Sequence, residues 1–218
     1  EVYEKTRSEL AEANAPARAR ADLLVAYAGF LQVEGVKSKE RMSLLEEAIA
    51  LDPGNNRARL MRGLELLGEG KIREGQDYLV DLHKRTGGYP GLASPLGRVY
   101  LRRGELDELD KLIGDELDDE RAPEDIILTG ALLRMRQDRL TDAKALVNRA
   151  LADRPDSWEG HLVKGQILIA DGDPAGGLAE IEQARPPSPN AEVELWLGQA
   201  LEYNGRAKEA TSHYEKAL

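Results

Sequence analysis

A repeat of about 34 residues is the feature that most limits what this chain can fold into. Small residues recur inside helix-like segments with steps of 34 residues and a last step of 33, at Gly29, Gly63, Gly97, Ala131, Gly165 and Gly198. Periods of about 20 to 50 residues are typical of stacked supersecondary units. The period therefore predicts about six copies of one structural unit.

Further columns in the same register describe each copy as two helices joined by a tight turn. A turn column seven positions after the small residue holds Gly70, Gly104, Gly172 and Gly205, with Val36 and Asp138 in the other copies. A second small column at twelve positions holds Gly75, Ala143, Gly177 and Ala210, with Arg41 and Leu109 as large exceptions. An apolar column at sixteen positions holds Leu45, Leu79, Ile113, Val147, Ile181 and Tyr214, and prolines follow at Pro53, Pro155 and Pro189.

These columns have a simple physical meaning. Small residues allow two antiparallel helices to approach closely, and glycine supplies the positive φ of a tight turn. Proline cannot continue the second helix, so it ends the unit. One hairpin cannot bury its own apolar face, and the copies are therefore expected to stack. We predict a helix at residues 1–21, as a cap or a truncated upstream repeat, and then repeats at 22–55, 56–89, 90–123, 124–157, 158–190 and 191–218, the last one truncated.

Composition excludes several classes of function. Forty acidic against thirty basic residues give a net charge of −10, which disfavours binding to nucleic acid. The absence of cysteine excludes disulfides and thiolate chemistry. No apolar run approaches the roughly 20 residues of a membrane span, so direct insertion into a membrane is not expected. We expect a soluble fragment, and the sequence leaves a cytoplasmic and a periplasmic location open.

The spacing and the columns resemble the tetratricopeptide repeat (TPR), a helix-turn-helix unit of 34 residues. The resemblance extends over about residues 22–218. It is carried by Leu96-Gly97, Tyr100 and Gly104 in the third copy, and by Leu197-Gly198, Gly205, Ala210, Tyr214 and Ala217 in the last. It implies an all-α, right-handed superhelical α-solenoid of about six repeats. Leu109 and Glu116 stand where the repeat has small residues, so we expect irregular packing around residues 105–125.

The sequence offers little for catalysis, and we predict no enzyme, no cofactor and no metal site. His83, His161 and His213 are far apart, and no pair has the spacing of metal ligands. The segment Asp171–Gly176, with Glu182 at the twelfth position, resembles the start of a calcium loop. The alternative role for Asp173 is that of a helix N-cap, which we favour because Gly172 lies in the turn column.

The resemblance also implies where a partner binds, because the first helices of TPR hairpins line a concave groove. The groove positions that it implies are Leu60, Leu64, Arg98, Leu101, Arg102, Leu128, Leu132, Met135, Arg136, Leu162, Gln166, Gln199 and Tyr203. They combine apolar side chains with arginines, so the expected ligand is a protein or peptide segment with an apolar stripe and acidic residues. The competing interpretation is that the leucines are ordinary core.

Three hypotheses about function remain open at this point. The leading one is a non-catalytic protein–protein interaction scaffold that binds a partner in its groove, within a larger multiprotein assembly. The second is an accessory TPR domain of a larger enzyme or of a secretion or envelope-assembly protein. The third is a homo-oligomeric assembly module that associates through its terminal repeats.

Overall fold

The computed structural model describes residues 3, 5, 8, 14–35, 38–89 and 91–218, and these are helical or in turns, without a β-strand. Twelve helices follow one another along them: α1 Ala17–Val33, α2 Ser38–Leu51, α3 Asn56–Gly68, α4 Ile72–Thr86, α5 Ala93–Arg103, α6 Leu106–Leu117, α7 Glu124–Arg136, α8 Leu140–Asp153, α9 Trp158–Ala170, α10 Pro174–Ile181, α11 Ala191–Tyr203 and α12 Ala207–Ala217. The all-α prediction is confirmed. Of these helices, none combines the length and the hydrophobicity that a membrane span requires.

The chain divides into two compact units, unit 1 at residues 1–99 and unit 2 at residues 100–218. Helices α1 to α4 form two hairpins in unit 1, and helices α7 to α12 form three hairpins in unit 2. Odd-numbered helices are the first helix of each hairpin and even-numbered helices are the second. Each odd-numbered helix is called a first helix below.

Polar caps and prolines set where several helices begin. The side chains of Asn55 and Ser157 accept hydrogen bonds from the backbone N–H groups three residues later, at 3.0 Å in both cases. Asp173 caps α10 through the N–H of Gly176 at 2.9 Å, and Pro174 occupies the first turn. These bonds satisfy backbone donors that a helix start leaves without partners. The predicted N-cap role of Asp173 is therefore confirmed.

The turn inside the hairpins has the same geometry in successive copies. After α3, Gly70 has a φ of 76°, and the N–H of Lys71 donates to the carbonyl oxygen of Leu66 at 3.0 Å. The same bond closes the turns after α5, α7, α9 and α11. This is the Schellman arrangement, which needs one residue with positive φ. Asp138 fills that position after α7 with a φ of 60°, and Gly35 rather than Val36 has the positive φ after α1. Val36 lies outside the described residues.

The small column marks the point where the two helices of a hairpin cross. A Cβ atom added to Gly165 would lie 2.8 Å from the carbonyl oxygen of Gly177, and one added to Gly177 would lie 2.9 Å from that of Gly165. In the last hairpin the ring of Tyr214 packs on Gly198 and leaves no space for a Cβ. The predicted close approach of the two helices is thus present at these crossings.

Unit 1 contains a buried ion pair at one of the large exceptions in the small column. Arg41 on α2 donates to both carboxylate oxygens of Glu65 on α3, at 2.7 and 2.8 Å, and Ser38 lies 2.6 Å from the same carboxylate. Burial would raise the pKa of Glu65, but the hydrogen bonds from Arg41 and Ser38 lower it overall. Arg41 therefore links two neighbouring hairpins where other copies place a small residue.

Unit 2 also accommodates its large exception without a break in the helix. Leu109 and Ile113 on α6 are fully buried, and the helix is continuous over Leu106–Leu117, within the segment 105–125 where we expected irregular packing. The C-terminal end of α6 is contacted by Arg149 of α8, whose guanidinium reaches the carbonyl oxygens of Leu117 and Asp119 at 3.4 Å. A cation at this position also complements the negative end of the helix dipole.

Most of the predicted N-terminal helix, residues 1–21, lies outside the described residues. Within the described part, α1 begins at Ala17, earlier than the predicted boundary at residue 21. The ring of Tyr3 stacks on Tyr27 with centroids 3.6 Å apart, and Tyr27 in turn stacks on Phe30. Tyr3 is buried in the core of unit 1, so this residue covers part of the first hairpin as a cap would.

Candidate interaction surface

The predicted groove residues fall in both units and differ in exposure. Leu60, Leu64 and Arg98 belong to unit 1, and the others belong to unit 2. The buried members are Leu101, Leu128, Leu162 and Gln166. The half-buried members are Leu60, Leu132, Met135 and Gln199, and the exposed members are Leu64, Arg98, Arg102, Arg136 and Tyr203. Each unit therefore presents only part of the predicted set to solvent.

The buried members are part of the hydrophobic core of unit 2. Leu128 belongs to a cluster with Val163 and Ile167 of α9, and Leu162 belongs to a cluster with Val193 of α11. Each is thus covered by the next first helix along the chain. For these leucines the structure agrees with the core interpretation.

Arg102 and Arg136 form the charged part of the exposed set in unit 2. Both are exposed, and neither makes a hydrogen bond or an ion pair with any residue that the structure describes. Neighbouring arginines behave differently, because Arg134 pairs with Asp110 at 3.0 Å and Arg139 pairs with Asp142. The hydrogen bond from Arg134 lowers the pKa of Asp110 below its ordinary value. Arg102 and Arg136 therefore keep their full hydrogen-bonding capacity for another molecule.

Apolar side chains lie on the same layer of first helices. Leu132 and Met135 pack partly against the core around α7 and α9 and remain half-exposed. On α11, Leu195 is 42% exposed and Tyr203 is 66% exposed. Helix α9 contacts both α7 and α11, so these three first helices form one continuous layer. This layer of unit 2 offers exposed apolar groups together with an unpaired guanidinium on α7.

A tyrosine of α12 is hydrogen-bonded to a carboxylate of α11. The hydroxyl of Tyr214 donates to Glu202 at 2.6 Å, and burial together with this bond raises the pKa of Tyr214 to about 12. The phenol therefore remains a donor at neutral pH. This bond uses one carboxylate oxygen of Glu202, which is exposed on α11.

The candidate metal and catalytic residues have structural partners instead. Asp171 pairs with Lys144, and Asp173 is the N-cap of α10. Two of the residues that the calcium-loop hypothesis requires as ligands are therefore engaged with other groups of the protein. His161 bonds to Glu180 at 2.8 Å, and His213 bonds to Glu194 at 2.7 Å. Among the described residues, no group of three histidines or carboxylates is arranged to hold a metal ion.

Two exposed apolar residues of unit 1 were missed by the sequence analysis. Phe30 is 55% exposed and Val33 is 84% exposed, both on α1. They occupy the positions one and four after Gly29, which are the positions of Leu132 and Met135 after Ala131. The repeat register would have identified them if the first copy had been included among the groove positions.

Comparison with known proteins supports the repeat assignment. Residues 128–192 match the model of the tetratricopeptide repeat family. No curated protein has a significant sequence match to the chain. A tetratricopeptide repeat protein from Parabacteroides merdae is similar in structure, with a TM-score of 0.73 and 15% identity over 99% of this chain and 84% of that one.

Two further structures have names that refer to an assembly process or a complex. PilW, described as a widely conserved type IV pilus biogenesis factor, has a TM-score of 0.66 and 16% identity over 88% of this chain and 90% of its own. A chain of the APC/C hetero-tetramer Cut9-Hcn1 has a TM-score of 0.71 and 12% identity over 99% of this chain and 42% of its own. At these identities the similarity establishes the fold alone, and it agrees with the predicted all-α repeat solenoid.

Proposed function

We propose that this chain is an interaction scaffold of the tetratricopeptide repeat type. In this proposal, unit 2 binds a protein segment on its layer of first helices. The segment carries an apolar stripe and at least one Asp or Glu. The observation that carries this proposal is that Arg102 and Arg136 are exposed and have no partner among the described residues. In a chain with an excess of carboxylates, a guanidinium without a partner is available for a ligand carboxylate.

The register of the repeat supports a joint role for the two arginines. Arg102 lies five positions after Gly97 and Arg136 lies five positions after Ala131, so they occupy equivalent places on successive first helices. A segment that runs along successive copies of the repeat can therefore contact both arginines in turn. Leu132 and Met135 lie beside Arg136 on α7, and each fully covered apolar side chain contributes about 1.5 to 3 kcal/mol.

The proposal can be tested with a library of random peptides selected on the intact protein. We expect selected peptides to share apolar residues at helical or alternating spacing and one or more acidic residues. Binding of a selected peptide, measured by fluorescence anisotropy, should weaken more than tenfold in Arg102→Glu and in Arg136→Glu, which corresponds to about 1.4 kcal/mol. Both side chains are exposed, so the melting temperature should remain nearly unchanged.

Arg121→Glu is the matched control, because Arg121 is also exposed and lies in the loop between α6 and α7. It should leave peptide affinity within about twofold. Leu132→Glu is a further test, and since Leu132 packs partly against the core it should reduce both binding and stability. The proposal fails if selected peptides bind equally well to the two arginine variants, or if the selection yields no acidic consensus.

A further inference from the structure

A polar cavity of about 570 Å³, open to solvent, lies in unit 1, whereas the proposed binding surface lies in unit 2. It is lined by the start of α1, by the turn between α2 and α3, by the first residues of α3 and by Tyr89. Its volume falls within the range of about 300 to 1,000 Å³ that small-molecule sites occupy. The cavity is thus large enough for a metabolite of ordinary size.

Hydrogen bonds hold the turn between α2 and α3 in place, and one of them reaches Asp22 on α1. Asn55 is buried, and its Oδ1 accepts from the N–H of Ala58 at 3.0 Å. Its Nδ2 donates to Oδ1 of Asp22 at 2.9 Å, while Oδ1 of Asp52 accepts from the N–H of Gly54 at 3.0 Å. These bonds use one carboxylate oxygen of Asp22 and one of Asp52. The second oxygen of each is in neither bond, so it can accept from a ligand.

Two guanidinium groups line the same cavity without a partner. Arg18 at the start of α1 and Arg57 at the start of α3 make no hydrogen bond or ion pair with any described residue. Elsewhere in unit 1, Arg41 and Arg62 each pair with a glutamate. Both guanidinium groups are therefore available to donate to a bound carboxylate.

The charges of the lining decide which class of ligand fits. Arg18 and Arg57 contribute two positive charges, and Asp22 and Asp52 contribute two negative charges. A phosphate or a simple dicarboxylate would meet the aspartates with charge of the same sign. A molecule that carries one carboxylate and one ammonium group can match both pairs. We propose that this cavity binds a small zwitterion of the α-amino acid class, with its carboxylate on the arginines and its ammonium on the aspartates.

Isothermal titration calorimetry on the whole chain tests this, with the common amino acids, succinate and inorganic phosphate as separate probes. At least one amino acid should bind saturably, and succinate and phosphate should bind at least tenfold more weakly. Arg57→Ala should weaken the amino acid at least tenfold. Arg73→Ala is the matched control, because Arg73 is exposed on α4 and does not line the cavity. Circular dichroism of the variants checks that both remain folded.

Each of four other results would overturn the proposal. Equal affinity for succinate would mean that the ammonium group is not recognised, and tighter binding of phosphate would mean that the cavity is a general anion site. Amino acid binding that Arg57→Ala leaves unchanged would place the ligand elsewhere. Absence of saturable binding by every probe into the millimolar range would mean that the cavity has no ligand of this class. None of these results bears on the peptide surface of unit 2.

Discussion

Replacement of Gly165 by alanine tests the central packing feature of the repeat. The added Cβ would lie 2.3 Å from Cγ1 of Ile181 and 2.8 Å from the carbonyl oxygen of Gly177. Ile181 can relieve the first contact by a change of rotamer, but the second obstacle is the backbone of α10. The two helices can accept the methyl group only if they move apart, and their shared core would then lose contact.

The expected magnitude follows from two opposing effects. Alanine is favoured over glycine by about 1 kcal/mol within a helix. Overpacking of a tight site costs about 1 to 3 kcal/mol, and here the upper end applies because a backbone atom blocks the methyl group. The net expectation is a loss of about 2 kcal/mol in the free energy of unfolding. For a unit of this size that loss lowers the melting temperature by roughly 8 °C.

The assay is urea unfolding followed by circular dichroism, with Gly114→Ala as the matched control in the same unit. Gly114 lies within α6, and no atom is within 4 Å of an added Cβ. The control should therefore gain stability, by up to about 1 kcal/mol. If Gly165→Ala were as stable as Gly114→Ala, the close crossing of α9 and α10 would not be what the small column encodes.

Three further predictions concern a turn, the buried ion pair and self-association. Asp138 has positive φ, which is strained for a residue with a side chain, so Asp138→Gly should raise the free energy of unfolding by about 0.5 to 1 kcal/mol in urea titrations. Glu65→Gln should lower stability at pH 7 by about 1 to 3 kcal/mol, because it removes the charged acceptor of the hydrogen bonds from Arg41 and Ser38. The folded-state pKa of Glu65 is lowered, so its ionised carboxylate stabilises the fold above the unfolded pKa of about 4.3, and this stabilisation is lost as pH falls through the folded pKa. The variant should therefore lose less stability than the unaltered protein when the pH is lowered below about 4. Helix α12 carries exposed charges, including Lys208 and Glu215, which disfavour stacking of a second copy on it. Light scattering should therefore give a mass near 24.0 kDa at all protein concentrations, and the mass of a dimer would contradict this.

The repeat could be read from the sequence because its geometry is local. A residue at a helix crossing must be small, and a residue in a Schellman turn must tolerate positive φ, so both requirements leave a mark at a fixed spacing. The exceptions were harder to interpret. Arg41 is tolerated because Glu65 on the next hairpin pairs with it, and Leu109 is tolerated because it is fully buried. The residues that surround these two exceptions are specific to their own copies, so the period alone cannot predict how each exception is accommodated.

The exposure of individual side chains in the predicted groove could not be predicted from the sequence, for a related reason. The position three before the small residue is leucine at Leu128, Leu162 and Leu195. The first two are buried and the third is 42% exposed. Leu128 and Leu162 are covered by side chains of α9 and α11, while Leu195 lies on the last helix of that layer. Burial at this position therefore depends on what packs against it and not on the residue itself.

The same dependence on neighbours determines which arginines are available for a partner. Arg134 and Arg136 are two residues apart on α7 and therefore point to different sides of the helix. Arg134 meets Asp110 of the preceding hairpin, whereas Arg136 meets no described carboxylate. An arginine that points into the stack is neutralised by the protein, and one on the exposed layer keeps its charge for a ligand. This difference of side is the physical reason why Arg136→Glu should impair binding, while loss of Arg134 should act mainly on stability through its ion pair with Asp110.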